Sequence, residues 1–313
     1  MTLFENGLLN RARFFCCDPM AEKQSHFIMQ VLKNIFDDCG LNVQRYEQVH
    51  GGDINLSYCL FTSTEKYFLK VNDMNRYPLM FAKEASGLDK VREFCTLKIP
   101  QVLKHGSCND QQYLLLEWLE KGAPKKDMWE NFGRRLAMMH KQPQEYFGLN
   151  DNNYIGSLNQ NNERHSEWHS FYAECRIKPL VKKLFDAGNF SATDIRDADL
   201  FSNNFKAILP IEPPSFLHGD LWAGNYMITS SGYAAIFDPA VYCGHREMDI
   251  GMTKLFGGFD RQFYEAYNET YPLEIGWEKR LPLTQLYPLL VHAVLFGGHY
   301  ISEVKHIFSA FSV

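Results

Sequence analysis

Apolar residues recur at three- and four-residue steps in residues 21–39 and fall on one helical face. This spacing predicts an amphipathic helix, and Gly40 is typical of a helix end. Three segments with strand-like patterns follow, LNVQRYEQV, INLSYCLFT and KYFLKV, joined by HGGD and STE. They predict an antiparallel meander. A helix over residues 78–94 and two further strands, IPQVLKHG and QYLLLEWL, complete a small predicted sheet region.

The pattern changes after Gly122 and becomes mostly helical. The segment DMWENFGRRLAMMHK carries a helical apolar stripe, with Asp127 as the predicted N-cap. Residues 150–162 are rich in Asn, Gly and Ser, which predicts a loop. The short segments YMIT and YAAIFD predict a strand hairpin. Further helices are expected at residues 163–187, at residues 191–207 and over most of the chain after residue 245.

Together the two patterns predict an α+β fold with two lobes. We expect a small antiparallel-sheet lobe at residues 1–118 and a larger helical lobe at residues 119–313. Residues 1–20 lack the apolar centre of a signal peptide and are expected to form a flexible extension. The chain length of 313 residues is compatible with one or two domains.

Composition narrows the expected function. The net charge of -5 gives no electrostatic basis for binding nucleic acid or an anionic membrane. No apolar run reaches the roughly 18 residues that a membrane span requires. The eight cysteines include no CxxC pair, so a zinc site is not expected. The adjacent Cys16 and Cys17 are interpreted as reduced thiols, which favours a cytoplasmic protein.

The stretch FLHGDLWAGNYMI places a carboxylate, Asp220, five residues before a carboxamide, Asn225. Protein kinases use an Asp-x-x-x-x-Asn loop in which the Asp receives the hydroxyl proton and the Asn binds a metal ion. The following hairpin ends in Asp238 and would bring it beside Asn225. Carboxylate and carboxamide oxygens suit Mg²⁺. Either aspartate alone is more simply interpreted as a turn cap, but the full spacing favours a phosphoryl-transfer site.

The sheet region contains a second kinase-like pair. Lys70 lies on a predicted strand, and Glu84 follows fourteen residues later in the predicted helix. A strand lysine paired with a helix glutamate holds the nucleotide phosphates in kinases. A solvent-exposed lysine is the alternative. Strand alternation, however, places Lys70 on the same face as the apolar Phe68, which is unusual for an exposed face.

Two further segments complete the predicted nucleotide site. Gly51 and Gly52 form a turn whose backbone N–H groups could approach phosphate oxygens, although any hairpin can contain such glycines. Asp53 beside them would repel phosphate unless it points away. We expect adenine to bind the backbone of the segment that joins the lobes, at Glu117, Trp118 and Leu119.

The segments HGDLWAGN, FDPAVYCGHREMDIGMTKLFGGF and GWEKRLPLTQLYPLL closely resemble the fructosamine kinase (ketosamine 3-kinase) family. That family belongs to the aminoglycoside-phosphotransferase branch of the protein-kinase-like fold. The likeness extends from about residue 27 to residue 308. It implies ATP-dependent phosphorylation of the 3-hydroxyl of a ketosamine, either free or on a protein lysine. The 3-phosphate product is unstable and loses its sugar, so the reaction reverses glycation.

The resemblance also implies a role for individual residues. Asp220 would be the base, and Asn225 and Asp238 would hold Mg²⁺. Lys70 and Glu84 would organise the ATP phosphates. Asp249 matches a family position that supports the catalytic loop. At Asp53 this chain departs from several members of the family, which have a cysteine there.

Several aromatic and charged residues near the loop have two interpretations. Trp222 could stack on a sugar face or support the loop. His245 and Arg246 are candidates for contacts with substrate or phosphate, with a structural ion pair as the alternative. His218 is expected to support the loop by hydrogen bonds. Trp168 and His165 are weaker candidates for the acceptor cleft.

Two alternative functions remain open at this point. One is a kinase for another small hydroxyl compound, such as an aminoglycoside or choline. The other is a nucleotide-binding pseudokinase that serves as a scaffold. A pseudokinase is expected to have lost Lys70, Asp220 or Asp238, and this chain has all three.

Overall fold

A computed structural model describes residues 19–49, 54–205 and 208–311. The predicted glycine turn, Cys16 and Cys17, and most of the predicted N-terminal extension lie outside the described residues. Within the described ranges, no helix is both long and apolar enough to cross a membrane.

The first part of the chain is an antiparallel sheet between two helices. Its five strands pair in the order β1-β2-β3-β5-β4, so the predicted meander is confirmed. Gly40, at a φ of 65°, follows the first helix as predicted. The elements are α1 (Pro19–Cys39), β1 (Arg45–Gln48), β2 (Leu56–Phe61), β3 (Lys66–Asp73), α2 (Met80–Phe94), β4 (Val102–Cys108) and β5 (Gln111–Glu117).

Strand β3 determines the direction of the Lys70 side chain, because the two faces of the strand pack against different partners. Leu69 and Val71 face α1 and pack with Leu32 in one apolar cluster. Phe68 and Lys70 lie on the opposite face, where Phe68 packs at the edge of the cluster that contains α2. The alternation of the strand therefore turns Lys70 toward α2 and the rest of the molecule.

The second part of the chain is predominantly helical and contains three short strand pairs. The predicted hairpin is confirmed as β9 and β10. The elements are α3 (Met128–His140), β6 (Asn153–Ile155), β7 (Leu158–Gln160), α4 (Trp168–Phe171), a π-helix (Tyr172–Ile177), α5 (Lys178–Asp186), α6 (Ala192–Asn204), β8 (Ser215–Leu217), a 3-10 turn (Ala223–Asn225), β9 (Tyr226–Ile228), β10 (Ala234–Ile236), β11 (Tyr242–Gly244), α7 (Glu247–Leu255), α8 (Arg261–Thr270), a 3-10 turn (Trp277–Arg280), α9 (Leu281–Phe296) and α10 (His299–Phe311).

Two local predictions were wrong, and a third was confirmed only in its position. Residues 150–162 contain the β6–β7 hairpin, because their polar side chains bond one another and backbone carbonyls in the interior. The helix predicted from residue 163 begins at Trp168. Asp127 is the N-cap residue of α3, as predicted, but its side chain makes no capping hydrogen bond. Its carboxylate instead accepts hydrogen bonds from the Tyr233 hydroxyl.

Candidate active site

Lys70 joins the sheet to the helical part of the chain. Only 3% of the residue is exposed. Its Nζ donates to Glu84 Oε1 at 2.7 Å and to Asp238 Oδ1 at 2.6 Å. Burial opposes the ammonium charge, but the carboxylates of Asp238 and Glu84 outweigh it and hold the pKa of Lys70 above its ordinary value. The lysine therefore stays charged at the place where the two parts of the chain meet.

The loop between β8 and β9, residues 218–225, carries Asp220 and is called the catalytic loop. It is supported from behind by Asp249 on α7. The carboxylate of Asp249 accepts the backbone N–H groups of His218 at 2.8 Å and Gly219 at 2.9 Å. It also lies 3.1 Å from His140 Nε2. Burial would raise the pKa of Asp249, but the bonded groups, His140 first, hold it below its ordinary value. Asp249 is thus an ionised support for the loop.

The loop turns sharply at Gly219. This residue has a φ of 81°, and a Cβ there would lie 2.0 Å from the carbonyl oxygen of Ala240. Only glycine avoids both the left-handed penalty and this contact. His218 fixes the same turn, since Nε2 bonds the Phe237 carbonyl and Nδ1 accepts the Asp220 N–H. Burial lowers the pKa of His218, so a neutral ring suits this role.

Asp220 and Asn225 are directly linked. The Asn225 Nδ2 donates to the Asp220 carbonyl at 2.8 Å and to its Oδ2 at 2.9 Å. Burial raises the pKa of Asp220 to about 7, against the opposing effect of the Asn225 hydrogen bond. A carboxylate whose pKa is close to neutrality is suited to general-base chemistry.

Asp238 follows β10 and lies beside the same loop. The β9–β10 hairpin pairs Ile236 with Tyr226, and the Phe237 N–H donates to the Asn225 carbonyl at 3.1 Å. Asp238 has a φ of 56°, a left-handed conformation that a non-glycine residue adopts at an energetic cost. Its side chain remains 38% exposed although it pairs with Lys70.

A cavity of about 200 Å³ collects these groups. The predicted site residues that line it are Lys70, Glu84, Asp220, Trp222, Asn225 and Asp238. The structure therefore brings residues from β3, α2, the catalytic loop and the β10 terminus to one space. Sequence reasoning did not identify the other polar side chains of the lining, which are Asn55, Lys83, Asn153 and Tyr154.

The donor set is compatible with Mg²⁺ bound together with phosphates. Asn225 uses its amide nitrogen on Asp220, which leaves Oδ1 as its available ligand atom. Asp238 adds one carboxylate. The described residues contain no group of three or more His, Cys, Asp or Glu that could hold a metal ion alone. Mg²⁺ in proteins is often held by one or two carboxylates completed by phosphate oxygens and water, so the donors present here fit.

His245 and Arg246 do not reach the cavity, so the predicted substrate contacts are not supported. Arg246 is 2% exposed and donates to both carboxylate oxygens of Glu212 at 2.8 and 2.7 Å. Its remaining donors bond the carbonyls of Tyr271 and Pro272. His245 is equally buried and bonds the Pro210 carbonyl at 3.2 Å. The structural alternative accounts for both residues.

Trp168, one of the two weaker candidates, is buried in an aromatic cluster with Phe147, Phe171 and Tyr172. Trp222 differs, because it is 36% exposed and lines the cavity. Its ring also contacts Phe256 edge-on at 5.6 Å. Its position is therefore compatible with both a sugar contact and loop support.

The predicted adenine segment lies apart from the cavity. Glu117 pairs with Lys98 at 2.7 Å and accepts the Gln101 N–H. Glu117 and Trp118 line a second, wider cavity of about 900 Å³ at the edge of the sheet, and Leu119 lines neither. Adenine binding at these three residues remains a prediction, as does phosphate binding at Gly51 and Gly52, which lie outside the described residues.

Comparison with solved structures identifies the fold. The crystal structure of the aminoglycoside phosphotransferase APH(4)-Ia matches with a TM-score of 0.59 and 15% identity, over 91% of this chain and 98% of that one. At this identity the match shows the fold alone, which is the protein-kinase-like fold of small-molecule phosphotransferases.

Closer matches identify the family. The fructosamine kinase family model matches residues 21–311. A Synechocystis sp. protein named a probable ketoamine kinase is 38% identical over 269 residues, 85% of this chain and 89% of that protein. An Arabidopsis thaliana protein named protein-ribulosamine 3-kinase, chloroplastic, is 36% identical over 85% of this chain and 82% of its own length. A crystal structure of a Thermobifida fusca protein assigned as a fructosamine-3-kinase has a TM-score of 0.79 and 34% identity, over 90% of this chain and 97% of that one. The chain belongs to the fructosamine kinase family.

Proposed function

We propose that this protein transfers the terminal phosphoryl group of ATP to the 3-hydroxyl of a ketosamine. The observation that carries the proposal is the convergence of Lys70, Asp220 and Asp238 on one cavity in a chain of this family. The relatives named as ketoamine and ribulosamine kinases support the acceptor class. Both free ketosamines and glycated protein lysines belong to that class.

The loop residue Asp220 supplies the base. Its carboxylate accepts the proton of the 3-hydroxyl as the oxygen–phosphorus bond forms. The bond between the γ-phosphorus and the bridging oxygen breaks, and that oxygen leaves on ADP with its electron pair. The pKa of about 7 lets Asp220 be ionised at neutral pH while it remains basic enough to accept a proton.

Lys70 and Asp238 act on the nucleotide side. In the described structure Lys70 is held by both Glu84 and Asp238. We propose that Lys70 contacts the phosphates when ATP binds, while Glu84 keeps its ammonium group in place. Asn225 and Asp238 would hold Mg²⁺, which when bound neutralises charge on the phosphates. The positively charged amine and the two oxygen ligands thus surround the terminal phosphates.

The division of the chain supports this arrangement. We propose that the sheet lobe ends at residue 118 and that the helical lobe begins at residue 119. β5 ends at Glu117, and the next helix, α3, begins at Met128. The sheet lobe would then supply Lys70 and Glu84, and the helical lobe the base and the metal ligands.

A substrate panel tests the proposal. The purified protein is incubated with ATP, Mg²⁺ and, in separate reactions, a fructosamine, a ribulosamine, an aminoglycoside and choline. Release of ADP is followed, and the phosphorylated position is determined by NMR. We expect turnover of a ketosamine and phosphate on its 3-oxygen. Turnover of the aminoglycoside or choline alone would favour the first alternative, and nucleotide binding without any turnover would favour a scaffold.

A further inference from the structure

Arg176, near the end of the π-helix, is a buried cation that pairs with no carboxylate in the described part of the chain. It is fully buried, and among the described residues no carboxylate forms an ion pair with it. Three rings surround the guanidinium instead, with Cζ 4.5 Å from the centroid of Phe171, 4.2 Å from Tyr242 and 5.2 Å from Tyr287. Within the described ranges, its Nε has no hydrogen-bond partner. Burying a charge without an opposite charge beside it is energetically costly, and buried charges are therefore normally paired.

The guanidinium begins a chain of buried amides. Arg176 Nη2 donates to Asn162 Oδ1 at 2.7 Å. The Asn162 amide nitrogen donates to Asn153 Oδ1 at 2.8 Å, and the Asn153 amide nitrogen donates to the Val241 carbonyl at 2.9 Å. Gln160 Nε2 donates to the same Asn153 oxygen at 2.8 Å and to the Ala240 carbonyl at 3.1 Å. The network thus ends on two consecutive carbonyls.

The chemistry of its ends gives the network one direction. A guanidinium can only donate hydrogen bonds, and a backbone carbonyl can only accept them. Each amide between them must therefore present its oxygen toward Arg176 and its nitrogen toward the carbonyls. Gln160 follows the same order, since its Oε1 accepts the Tyr287 hydroxyl at 2.7 Å. The Asn162 amide nitrogen also donates to the Asp151 carbonyl at 3.0 Å, so the guanidinium on one side and this carbonyl on the other together fix the orientation of the Asn162 amide.

The two carbonyls belong to the segment that carries Asp238. Pro239 and Ala240 line the active-site cavity, as does Asn153. The Ala240 N–H donates to the His218 carbonyl at 2.9 Å, so the same residue also contacts the catalytic loop. Asp238 itself has the costly left-handed conformation, which persists only when its surroundings determine it.

We propose that Arg176 is a positioning residue: by directing the Asn162–Asn153–Gln160 network onto the carbonyls of Ala240 and Val241, it holds Asp238 in place for the Mg²⁺–nucleotide complex. The inference rests on the proposed function, because it takes Asp238 as a ligand of that complex. The π-helix is consistent with this role, since such turns are often found at functional sites.

Mg²⁺-dependent nucleotide binding tests the inference without an acceptor. A fluorescent ATP analogue is titrated onto the full chain at increasing Mg²⁺ concentrations, and thermal unfolding is measured in parallel. Two variants interrupt the network. Arg176→Met removes the guanidinium donors and keeps an unbranched side chain. Gln160→Glu replaces the amide nitrogen, which donates to the Asn153 and Ala240 oxygens, by a carboxylate oxygen that cannot donate to them. We expect each to raise the Mg²⁺ concentration for half-maximal binding by roughly 10- to 100-fold, the usual effect of losing a group that orients a metal ligand.

Three further variants separate positioning from general stability. Phe201→Leu alters the same apolar cluster outside the network and should lower the melting temperature while leaving the Mg²⁺ midpoint unchanged. Arg176→Lys keeps a donor for Asn162 and should recover part of the loss. If the stronger variants do not fold, Tyr287→Phe removes one hydroxyl only and should shift the midpoint in the same direction by a smaller factor.

Two results would overturn the inference: an unchanged Mg²⁺ midpoint in every folded network variant, or an equal shift in Phe201→Leu. Failure of the proposed function would look different. The wild-type protein would then bind the nucleotide with Mg²⁺, and the network variants would weaken that binding, but no ketosamine would be phosphorylated.

Discussion

The front and the back of the catalytic loop are built in different ways. At the front, Lys70, Asp220 and Asp238 line a cavity, and their interactions are costly or incomplete: a raised pKa at Asp220 and a left-handed backbone at Asp238. At the back, the polar side chains of the segment GHREMDIGM are buried and bonded. These are His245, Arg246, Glu247 and Asp249.

This difference separates the side chains that line the cavity from those that support the loop behind it. The front residues follow a pattern that kinases in general use. The segment GHREMDIGM does not line the cavity, and it joins the catalytic loop to more distant parts of the chain. We therefore expect substitutions at the front to reduce the rate while the fold persists, and substitutions at the back to reduce stability first.

The largest expected effect is at Asp220. Asp220→Asn keeps the size of the side chain and removes the base, so kcat should fall by roughly 10²- to 10⁴-fold. The melting temperature at pH 8 should not fall, because the variant removes a buried charge. Steady-state ADP release and calorimetry measure the two quantities. A variant with wild-type kcat would show that another group accepts the proton.

Lys70 should show the next largest effect. Lys70→Met removes the cation that Glu84 and Asp238 share, so the two carboxylates lose their neutralising partner. We expect kcat/KM for ATP to fall by roughly 10²- to 10³-fold, as for other groups that stabilise transition-state charge. Lys66→Met, on the same strand but paired with Glu120 in an exposed ion pair, is the matched control and should retain its activity. Equal losses of kcat/KM for ATP in the two variants would show that Lys70 has no role that an exposed lysine lacks.

Arg246 tests the back of the loop. Arg246→Met leaves Glu212 as an unpaired buried acid and should lower the free energy of unfolding by roughly 3–5 kcal/mol. The double variant Arg246→Met/Glu212→Gln should be less destabilised, because no charge is then left unpaired. Urea denaturation measures both. At a temperature where Arg246→Met is folded, its kcat should stay within a small factor of the wild-type value, and a selective loss of kcat would assign it a catalytic role.

The smallest expected effect is the dependence of kcat/KM on pH near neutral pH. Burial raises the pKa of Asp220 to about 7, and the ionised form is the one that accepts a proton. kcat/KM should therefore fall about tenfold per pH unit below that value and level off above it. The residual kcat/KM of Asp220→Asn should not show this decrease at low pH. A flat profile in the wild-type protein from pH 5 to 8 would contradict the assignment.

The sequence alone predicted those features whose pattern lies within a short segment of the chain. The kinase arrangement of a strand lysine and a helix glutamate predicted that Lys70 meets Glu84. Strand alternation placed Lys70 on the face of Phe68, and the hairpin after Asn225 predicted the place of Asp238. These signals arise because side-chain direction follows the period of a strand or helix. These features lie within short segments.

The features that were missed depend on contacts between distant segments. Asn153 and Gln160 were assigned to a loop, because asparagine-rich segments usually lie in turns. Here they fill a buried network that ends on Ala240 and Val241. Likewise, nothing local in the sequence pairs Arg246 with Glu212, which is 34 residues away. Composition alone does not distinguish a solvated amide from one whose partners are brought to it by the fold.

The most direct test of the account is a crystal structure with Mg²⁺, a non-hydrolysable ATP analogue and a ketosamine. We predict that Lys70 Nζ contacts a phosphate oxygen and that the metal ion is bound by Asn225 and Asp238. The 3-hydroxyl should lie within hydrogen-bonding distance of the Asp220 carboxylate. Terminal phosphates bound away from Lys70, or a metal ion bound by neither Asn225 nor Asp238, would contradict the account.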